Sequence, residues 1–377
     1  MSSPSPPSKK TKVASPPLCP RAPSAEVSEL YPGIQSITPL DPNKTTTIER
    51  QNVLILYTGG TMGMCPDETG CLSPKRGYLT NKIVRMEELQ SPEMPRCHIK
   101  ENETLIDSAD MGHEGWTQIA EDILENYYDF DGFVVIMGTD TMAYAATSLS
   151  FMLENLGKTV VFTGSQIPFC EVYNDARRNL IASIIFAANS DFSEVCLFFN
   201  DKLLRGNRAK KMNAFGLDAF DSPNFPPLAK LGVNVETRRD LAIRAPSAAF
   251  KVFKKLEKSI VTIRLIPGFD DEPLLMMVTH SKDLRAVVLE LYGAGNAAGK
   301  GTLMQVLAKC KEKGIYVVAT TQCVMGSVLF GKYAVTNELV NLGVISAGDM
   351  TAEAVAAKLG YLIAKASPAL SSAEPCL

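Results

Sequence analysis

Runs of apolar residues alternate with amphipathic segments along most of the chain. The apolar runs of the first half are NVLILYT, GFVVIMGT, TVVFTGS and EVCLFFN, and the amphipathic segments are EGWTQIAEDILENYYDF, MAYAATSLSFMLENLG and ARRNLIASIIFAANS. Continuous apolar strands separated by helices are typical of a parallel sheet that is covered on both faces. The first half is therefore predicted to be a doubly wound α/β domain.

A second, shorter series of the same kind begins near Ser259. Its apolar runs are SIVTIRLIPG, AVVLELYGAGN and IYVVATTQ, and its helical segments are LMQVLAKCKEKG and TAEAVAAKLGYLIAKA. The stretch from Leu231 to Lys258 is charged and follows no period, which is typical of a linker after a hairpin. We predict a larger N-terminal domain at 49–240 with a mostly parallel sheet, a linker at 241–258, and a smaller C-terminal α/β domain at 259–377.

The N-terminal segment has a different composition. Ten of the 23 prolines fall within the first fifty positions, mixed with serine and lysine. Such a segment buries too little apolar surface to offset the entropy of ordering. Residues 1–48 are therefore predicted to be a disordered tail.

Composition narrows the possible partners. The 377-residue chain is 46% hydrophobic and has a net charge of −3, so no general attraction to nucleic acid or to a membrane surface is expected. Nine cysteines without a C-x-x-C pair fit a reducing compartment, and the cytoplasm is the predicted location. The three histidines do not stand at metal-ligand spacing, so no metal site is predicted.

Hydroxyl side chains follow two of the apolar runs. Thr61 comes after two glycines in YTGGT, and Thr139 lies in MGTDTM, which continues directly into a helical segment. In an open α/β sheet, ligands bind outside the carboxyl ends of the strands. A threonine at this place could cap a helix, contact a phosphate or act as a nucleophile. A third run ends in FTGSQIP, whose serine could simply cap a turn.

Nucleotide binding is the first alternative, and the spacing argues against it. Thr61 stands where G-x-G-x-x-G requires its second glycine, and GAGNAAGKGT departs from the P-loop pattern at two positions. Taken alone, Thr139 is equally well explained as a helix N-cap, and Asp140 as a residue that stabilises the same helix start. The single tryptophan, Trp116, is expected in the core.

Five motifs occur together in a fixed order, namely YTGGTMGM, DSADM, GTDTMAYAATSLSFMLENLGKTVVFTGSQIP, LFFNDKLLRGNRAKK and GVISAGDMT. In this order they closely resemble the cytosolic type I L-asparaginase family, also called the asparaginase/glutaminase family, in its eukaryotic-like form without ankyrin repeats. The resemblance extends from Asn52 to Ala366. It implies a two-domain asparaginase-like α/β fold. It also implies hydrolysis of the side-chain amide of L-asparagine to L-aspartate and ammonia, without a cofactor.

The resemblance implies catalytic roles for individual residues. Thr61 matches the nucleophile, and Thr139, Asp140 and Lys211 match a second triad-like set in which the lysine is the base. An amide is a poor electrophile, so an activated hydroxyl and a stabilised oxyanion suit this reaction. Backbone N–H groups around Thr61 and Thr139 are expected to form the oxyanion hole. Lys211 is expected to be partly buried.

Substrate-binding positions are implied in two segments. Thr139 and Asp140 are expected to contact the substrate, with Asp140 holding its α-ammonium group. The DSADM segment, through Asp107, Ser108 and Ala109, is expected to hold the α-carboxylate and α-amino groups. Two anchors on a small amino acid place its amide within reach of a hydroxyl.

Two departures from bacterial relatives stand out. Those relatives place a tyrosine after a glycine in the first loop, where this chain has Cys71. Tyr333 in the second domain is the preferred replacement, followed by Tyr78 and then by Cys71 itself. Some type I members also bind asparagine at a separate regulatory site through an arginine. Its place is taken here by Glu290, and Lys210 replaces a smaller polar residue. These changes argue against activation of the bacterial kind.

A homodimer or homotetramer is expected, because in this family the smaller domain of one subunit closes the active site of its neighbour. A glutaminase or a broader amidohydrolase is one alternative, since one extra methylene gives only about 10–200-fold discrimination. A catalytically silent amino-acid sensor with the same pocket is the other. The intact hydroxyls and lysine argue against the sensor.

Overall fold

The computed structural model describes residues 34–36, 50–189, 191–299, 301–331 and 334–367. The strands are β1 (Ile34–Ser36), β2 (Asn52–Tyr57), β3 (Met64–Pro66), β4 (Leu72–Pro74), β5 (Arg96–Glu101), β6 (Gly132–Ile136), β7 (Leu153–Glu154), β8 (Thr159–Thr163), β9 (Val195–Phe199), β10 (Lys202–Arg205), β11 (Lys210–Lys211), β12 (Phe220–Asp221), β13 (Ala229–Leu231), β14 (Val235–Thr237), β15 (Lys251–Val252), β16 (Ile260–Arg264), β17 (Ala286–Leu291), β18 (Tyr316–Thr321) and β19 (Val344–Ser346). The helices are α1 (Tyr78–Val84), α2 (Glu87–Gln90), α3 (His113–Glu125), α4 (Met142–Met152), α5 (Ala176–Ala188), α6 (Glu272–His280), α7 (Thr302–Lys313), α8 (Ala334–Asn341) and α9 (Ala352–Ala366).

The larger sheet has nine strands in the order β1-β5-β2-β6-β8-β9-β10-β13-β14. The central strands from β5 to β9 run parallel, with β2 paired to β6 from Val53↔Gly132 to Tyr57↔Ile136. The pairs at both edges are antiparallel. The predicted parallel α/β architecture is confirmed for the centre, and the antiparallel edges make the whole sheet mixed.

Both faces of the central strands are covered, which explains their continuous apolar sequence. On β2, Leu54 and Leu56 face the core that includes α3 and α4, whereas Val53, Ile55 and Tyr57 face the core that includes α1 and α5. All five side chains are fully buried. This alternation follows from the two-residue period of a strand between two helical layers.

The smaller sheet contains four parallel strands in the order β16-β17-β18-β19. Helices α6, α7 and α8 contribute Leu274, Leu303 and Leu339 to the core on one face. Helix α9 covers the opposite face through Val355 and Leu359. Helices thus cover both faces of this sheet, and the second β/α series forms the smaller α/β unit that its sequence predicts.

The predicted disordered tail at 1–48 is wrong for Ile34–Ser36. These residues form β1 and pair antiparallel with 98–100 of β5, and Ile34 is only 5% exposed in the main core. A segment with so few apolar positions has no detectable period, and its order comes from pairing with the edge strand β5. Residues 1–33 and 37–48 lie outside the described part of the chain.

The predicted linker, 241–258, also contains ordered contacts with the larger domain. Lys251 and Val252 pair antiparallel with β7. Just before them, the ring of Phe250 stacks on Tyr127 at a centroid distance of 3.9 Å. This part of the linker is therefore anchored on the N-terminal unit before the chain enters β16.

Candidate active site

Two glycines bring the loops at the carboxyl ends of the strands into contact. Gly59 and Gly60 follow β2 with φ angles of 135° and 88°, which residues with a side chain rarely adopt. A Cβ atom on Gly60 would lie 2.2 Å from the backbone nitrogen of Gly138, and one on Gly59 would lie 2.3 Å from the carbonyl oxygen of Ile106. The loop after β2 therefore lies directly against the loops after β5 and β6.

Thr61 begins a 3-10 turn directly after this glycine pair. The backbone N–H of Phe169 holds the turn by donating to the carbonyl of Met62 at 3.0 Å. The Thr61 side chain is partly exposed. Within the described ranges, neither its hydroxyl nor its backbone N–H has a hydrogen-bond partner. Both groups are available to a ligand at the sheet edge.

Thr139 lies after β6 and is 6% exposed. The Nζ of Lys211 donates to Thr139 Oγ1 at 2.9 Å and to Asp140 Oδ1 at 2.6 Å. The Lys211 side chain is 18% exposed, whereas that of Asp140 is 70% exposed. The structure thus brings these three residues together, with the lysine bridging a buried hydroxyl and a carboxylate that faces solvent.

The alternative that Thr139 caps helix α4 is wrong. The N-cap residue is Thr141, and its hydroxyl donates to the carbonyl of Ser108 at 2.6 Å instead of closing the helix end. In the described part of the chain, the backbone N–H of Thr139 has no acceptor. This N–H remains free to donate to a developing oxyanion.

Gln166 is a site residue that the sequence reasoning missed. Its Oε1 accepts a hydrogen bond from Thr139 Oγ1 at 3.2 Å, and its Nε2 donates to the carbonyls of Ala214 and Gly216 at 3.2 Å each. The carboxylate of Asp175 accepts the backbone N–H of Gln166 at 3.0 Å. The signal in the sequence is its position in FTGSQIP, directly after the third apolar run and next to the serine.

The predicted substrate segment lies beside these groups. Asp107 Oδ1 accepts the backbone N–H of Ala109 at 2.8 Å, and the side chains of both residues are exposed. Ser108 between them is 3% exposed, and its Oγ would lie 2.7 Å from a Cβ atom on Gly138. Ser108 is therefore packed against the Thr139 loop, while its neighbours face outward.

The three candidates for a group that assists Thr61 have different surroundings. Tyr333 lies outside the described residues. Tyr78 begins α1, where burial, followed by the nearby thiols of Cys65 and Cys170, raises its pKa to about 12. Cys71 is exposed in the turn between β3 and β4.

Lys210 and Glu290, the two residues at positions that differ from bacterial relatives, each form an ion pair. Lys210 Nζ lies 2.8 Å from Glu353 Oε1 on α9, and Glu353 is almost fully buried. Glu290 accepts a hydrogen bond from the guanidinium of Arg264 at 2.6 Å. Lys210 and Lys211 thus follow each other in β11 and have partners in different domains.

These groups define what the site can do chemically. A free hydroxyl, a lysine-bound hydroxyl and unpaired backbone N–H groups can supply a nucleophile, proton transfer and oxyanion donors. Within the described ranges, no three His, Cys, Asp or Glu side chains converge in a way that could hold a metal ion. Among the helices of the same ranges, none is long and apolar enough to cross a membrane.

Comparison with known proteins identifies the family of both domains. The model of the N-terminal asparaginase domain matches residues 52–242, and that of the glutaminase/asparaginase C-terminal domain matches 259–371. The fold is that of an amidohydrolase. The chain belongs to the asparaginase/glutaminase family.

Individual relatives cover most of the chain. L-asparaginase 1 from Escherichia coli K12 is 42% identical over 318 residues, which span 84% of this chain and 93% of that protein. The crystal structure of L-asparaginase I from Vibrio cholerae is 41% identical with a TM-score of 0.78, and the match covers 85% of this chain and 94% of the other. A 60 kDa lysophospholipase from Mus musculus is 37% identical over 349 residues, which span 87% of this chain and 61% of that protein.

Proposed function

We propose that this protein is an L-asparaginase, which hydrolyses the side-chain amide of L-asparagine to L-aspartate and ammonia. The observation that carries the proposal is the bridge formed by Lys211, 2.9 Å from the hydroxyl of Thr139 and 2.6 Å from the carboxylate of Asp140. This bridge follows β6, and the free hydroxyl of Thr61 follows β2 at the same edge of the sheet. The homology to L-asparaginases supports the same substrate.

The chemistry divides between the two threonines. Thr61 attacks the side-chain carbonyl carbon and forms a tetrahedral oxyanion, which the backbone N–H groups of Thr61 and Thr139 stabilise. Collapse of this intermediate breaks the C–N bond, and the proton taken from Thr61 passes to the leaving nitrogen, which departs as ammonia. Thr139 orients the water that then attacks the acyl-enzyme. Lys211 accepts one proton of this water and returns it as the bond to Thr61 breaks, so that the Thr61 hydroxyl is restored.

Recognition of the α-substituents falls to the exposed carboxylates and the DSADM loop. Asp140 Oδ1 is engaged by Lys211, and the exposed side chain leaves its second oxygen for the α-ammonium group. Ser108, Asp107 and Ala109 hold the α-carboxylate and α-amino groups. A substrate held at both groups presents its amide to a fixed hydroxyl.

Tyr333 is proposed to relay the proton of Thr61. A threonine hydroxyl at its free pKa is a weak nucleophile and needs such a partner. We expect Tyr333→Phe to lower turnover at saturating asparagine by about 10²-fold, with Tyr78→Phe and Cys71→Ser as matched controls. A selective loss in Tyr78→Phe would move the role to α1.

The assembly and location follow from the same proposal. We propose a cytoplasmic homodimer or homotetramer that uses no cofactor and has no nucleic-acid or membrane partner. Sedimentation of the active protein tests the assembly, and a fully active monomer would contradict it.

The decisive assay is ammonia release from L-asparagine by the purified protein. Thr61→Ala and Thr139→Ala are each expected to lower turnover by several orders of magnitude while changing the free energy of unfolding by no more than about 1 kcal/mol. L-glutamine is the matched alternative substrate, and lysophosphatidylcholine tests the activity named for the murine relative. Binding of asparagine without ammonia release would identify a sensor instead.

A further inference from the structure

Two cysteines that are far apart in the sequence lie in contact close to the turn that carries Thr61. Cys65 belongs to β3, which follows this turn, and Cys170 belongs to the loop after β8. The Cys170 thiol donates to the carbonyl of Met64 at 3.5 Å, and its side chain is also in hydrogen-bonding contact with that of Cys65. Both cysteines are half-buried. The fold thus brings together two thiols that a small oxidant can reach.

Backbone contacts hold the two segments together independently of the thiols. The N–H of Phe169 donates to the carbonyl of Met62 at 3.0 Å, next to the contact made by Cys170. Cys65 is fixed in the hairpin of β3 and β4, where it pairs with Ser73. Since the two backbones are already joined, a bond between the sulfur atoms requires them to approach by rotation of the side chains.

The surroundings of the other described cysteines differ from those of this pair. Three are buried in the two cores, namely Cys97, Cys196 and Cys310. Two are exposed, namely Cys71 and Cys323. Cys65 and Cys170 combine partial exposure with a neighbouring thiol, which is the arrangement that converts an oxidised cysteine into a disulfide.

The neighbours of the two thiols distinguish their roles. The Tyr78 hydroxyl contacts the side chain of Cys65, and burial, followed by the nearby thiols, raises the pKa of this hydroxyl to about 12. Tyr78 therefore keeps its proton and can donate it to the Cys65 sulfur. Burial, followed by the proximity of Cys65, raises the pKa of the Cys170 thiol, which stays protonated at neutral pH. These surroundings assign the attack on an oxidant to Cys65 and the second step to Cys170.

We propose that Cys65 and Cys170 form a reversible disulfide on exposure to hydrogen peroxide. The Cys65 sulfur attacks one peroxide oxygen and breaks the O–O bond, which gives the sulfenic acid of Cys65 and one water. The Cys170 sulfur then displaces the hydroxyl group, which leaves with the thiol proton as a second water. The two thiols lose two electrons and two protons, and the peroxide is reduced to two waters.

The disulfide fastens the hairpin that follows Thr61 to the loop after β8, which also contains Gln166. A cross-link between distant positions closes a long loop and restricts the unfolded chain. In a reducing compartment such bonds are transient and respond to oxidants, so thiols are expected to reverse this one. The proposal concerns sulfur chemistry and does not depend on the proposed function.

The first test maps the cross-link by mass spectrometry. The full-length protein is reduced, desalted and treated with hydrogen peroxide, and its remaining thiols are blocked before digestion with trypsin. A peptide of residues 51–75 joined to one of residues 159–177 is expected, lighter by two hydrogen atoms than the two peptides together. Dithiothreitol is expected to separate them. The absence of this joined peptide would overturn the proposal.

Variants identify the sulfur atom involved, because Cys65 and Cys71 lie in the same tryptic peptide. Cys65→Ser is expected to abolish the joined peptide, and the matched control Cys71→Ser is expected to retain it. The proposal is wrong if the joined peptide persists in Cys65→Ser or disappears in Cys71→Ser. Melting curves of the reduced variants establish that each is folded before oxidation.

The second test locates the effect of the bond in the fold. Backbone amides of residues 61–74 are expected to exchange hydrogen several-fold more slowly after peroxide treatment, whereas those of α7 keep their rate. The melting temperature without reductant is expected to rise by several degrees. Both effects are expected to be absent in Cys170→Ser. Unchanged exchange at 61–74 in the oxidised protein, or the same slowing in Cys170→Ser, would contradict the cross-link.

Discussion

The hydroxyl of Thr139 donates to Gln166 Oε1 at 3.2 Å while it accepts from Lys211 Nζ at 2.9 Å. Its proton and one of its lone pairs are therefore both engaged, which fixes the rotation of the C–O bond. The two bonds from Gln166 Nε2 to backbone carbonyls establish which end of the carboxamide faces Thr139.

Gln166→Leu is expected to lower the turnover of asparagine by about 10–100-fold, because the Thr139 hydroxyl loses its fixed orientation. The matched control is Gln90→Leu, since Gln90 bonds a backbone carbonyl on the surface of the same domain. Steady-state ammonia release is the measurement. Unchanged turnover in Gln166→Leu would show that Lys211 alone orients the hydroxyl.

The neighbouring lysines of β11 provide a second test. Lys211→Met is expected to lower turnover by about 10³-fold, because it removes the proton carrier, and to leave the unfolding free energy within about 1 kcal/mol. Lys210→Met leaves the buried carboxylate of Glu353 unpaired and is expected to cost about 3 kcal/mol of stability. Chemical denaturation and ammonia release distinguish the two. Equal effects of both substitutions on turnover would contradict the assignment.

Because Ile34–Ser36 is ordered, we predict that the parts of the N-terminal region contribute differently to stability. Removal of residues 1–33 is expected to leave the melting temperature unchanged. Removal of 1–44 exposes the edge of β5 and deletes the buried Ile34 side chain, and it is expected to cost about 2–3 kcal/mol. Thermal melts of both proteins, beside Ile34→Ala in the full chain, make the comparison. Equal stability of the two truncated proteins would mean that β1 adds nothing.

The lowered pKa of His98 on β5 predicts that the free energy of unfolding decreases at acid pH. Burial and the charge of Arg96 lower its pKa from 6.5 to about 4. Between these two pKa values the unfolded chain binds a proton at His98 that the folded chain does not bind. The contribution of His98 to the free energy of unfolding is therefore fully present above pH 6.5 and is lost as the pH falls towards 4. The loss amounts to roughly 3 kcal/mol. Urea unfolding from pH 4 to 7 should show a flatter profile for His98→Gln and an unchanged one for the exposed His280→Gln.

The sequence predicts those elements whose own residues show a clear apolar pattern. The run from Val53 to Tyr57 is apolar at every position because both faces of β2 are covered, and it is recognisable without any other part of the chain. Thr61 and Thr139 can be recognised in the sequence because each follows the end of an apolar run. Their roles are implied by the resemblance of their motifs to a known family.

The parts that the sequence did not predict depend on distant contacts. Ile34 is ordered only because the edge of β5 lies beside it, and Gln166 becomes a site residue only because its loop folds back over Thr139. The same limit applied to Thr139, where local rules equally favoured a helix cap. Lys211, 72 positions away, decides between the two interpretations.

The ion pairs beside β11 affect whether the two domains can be separated into working fragments. Arg208 forms an ion pair with Asp349 and Lys210 forms one with Glu353, so the residues just before Lys211 are held against the second half of the protein. A fragment that ends at the linker would retain Thr61, Thr139 and Lys211 and lose the frame that aligns them. The two halves have separate sheets, and we expect neither half alone to hydrolyse asparagine.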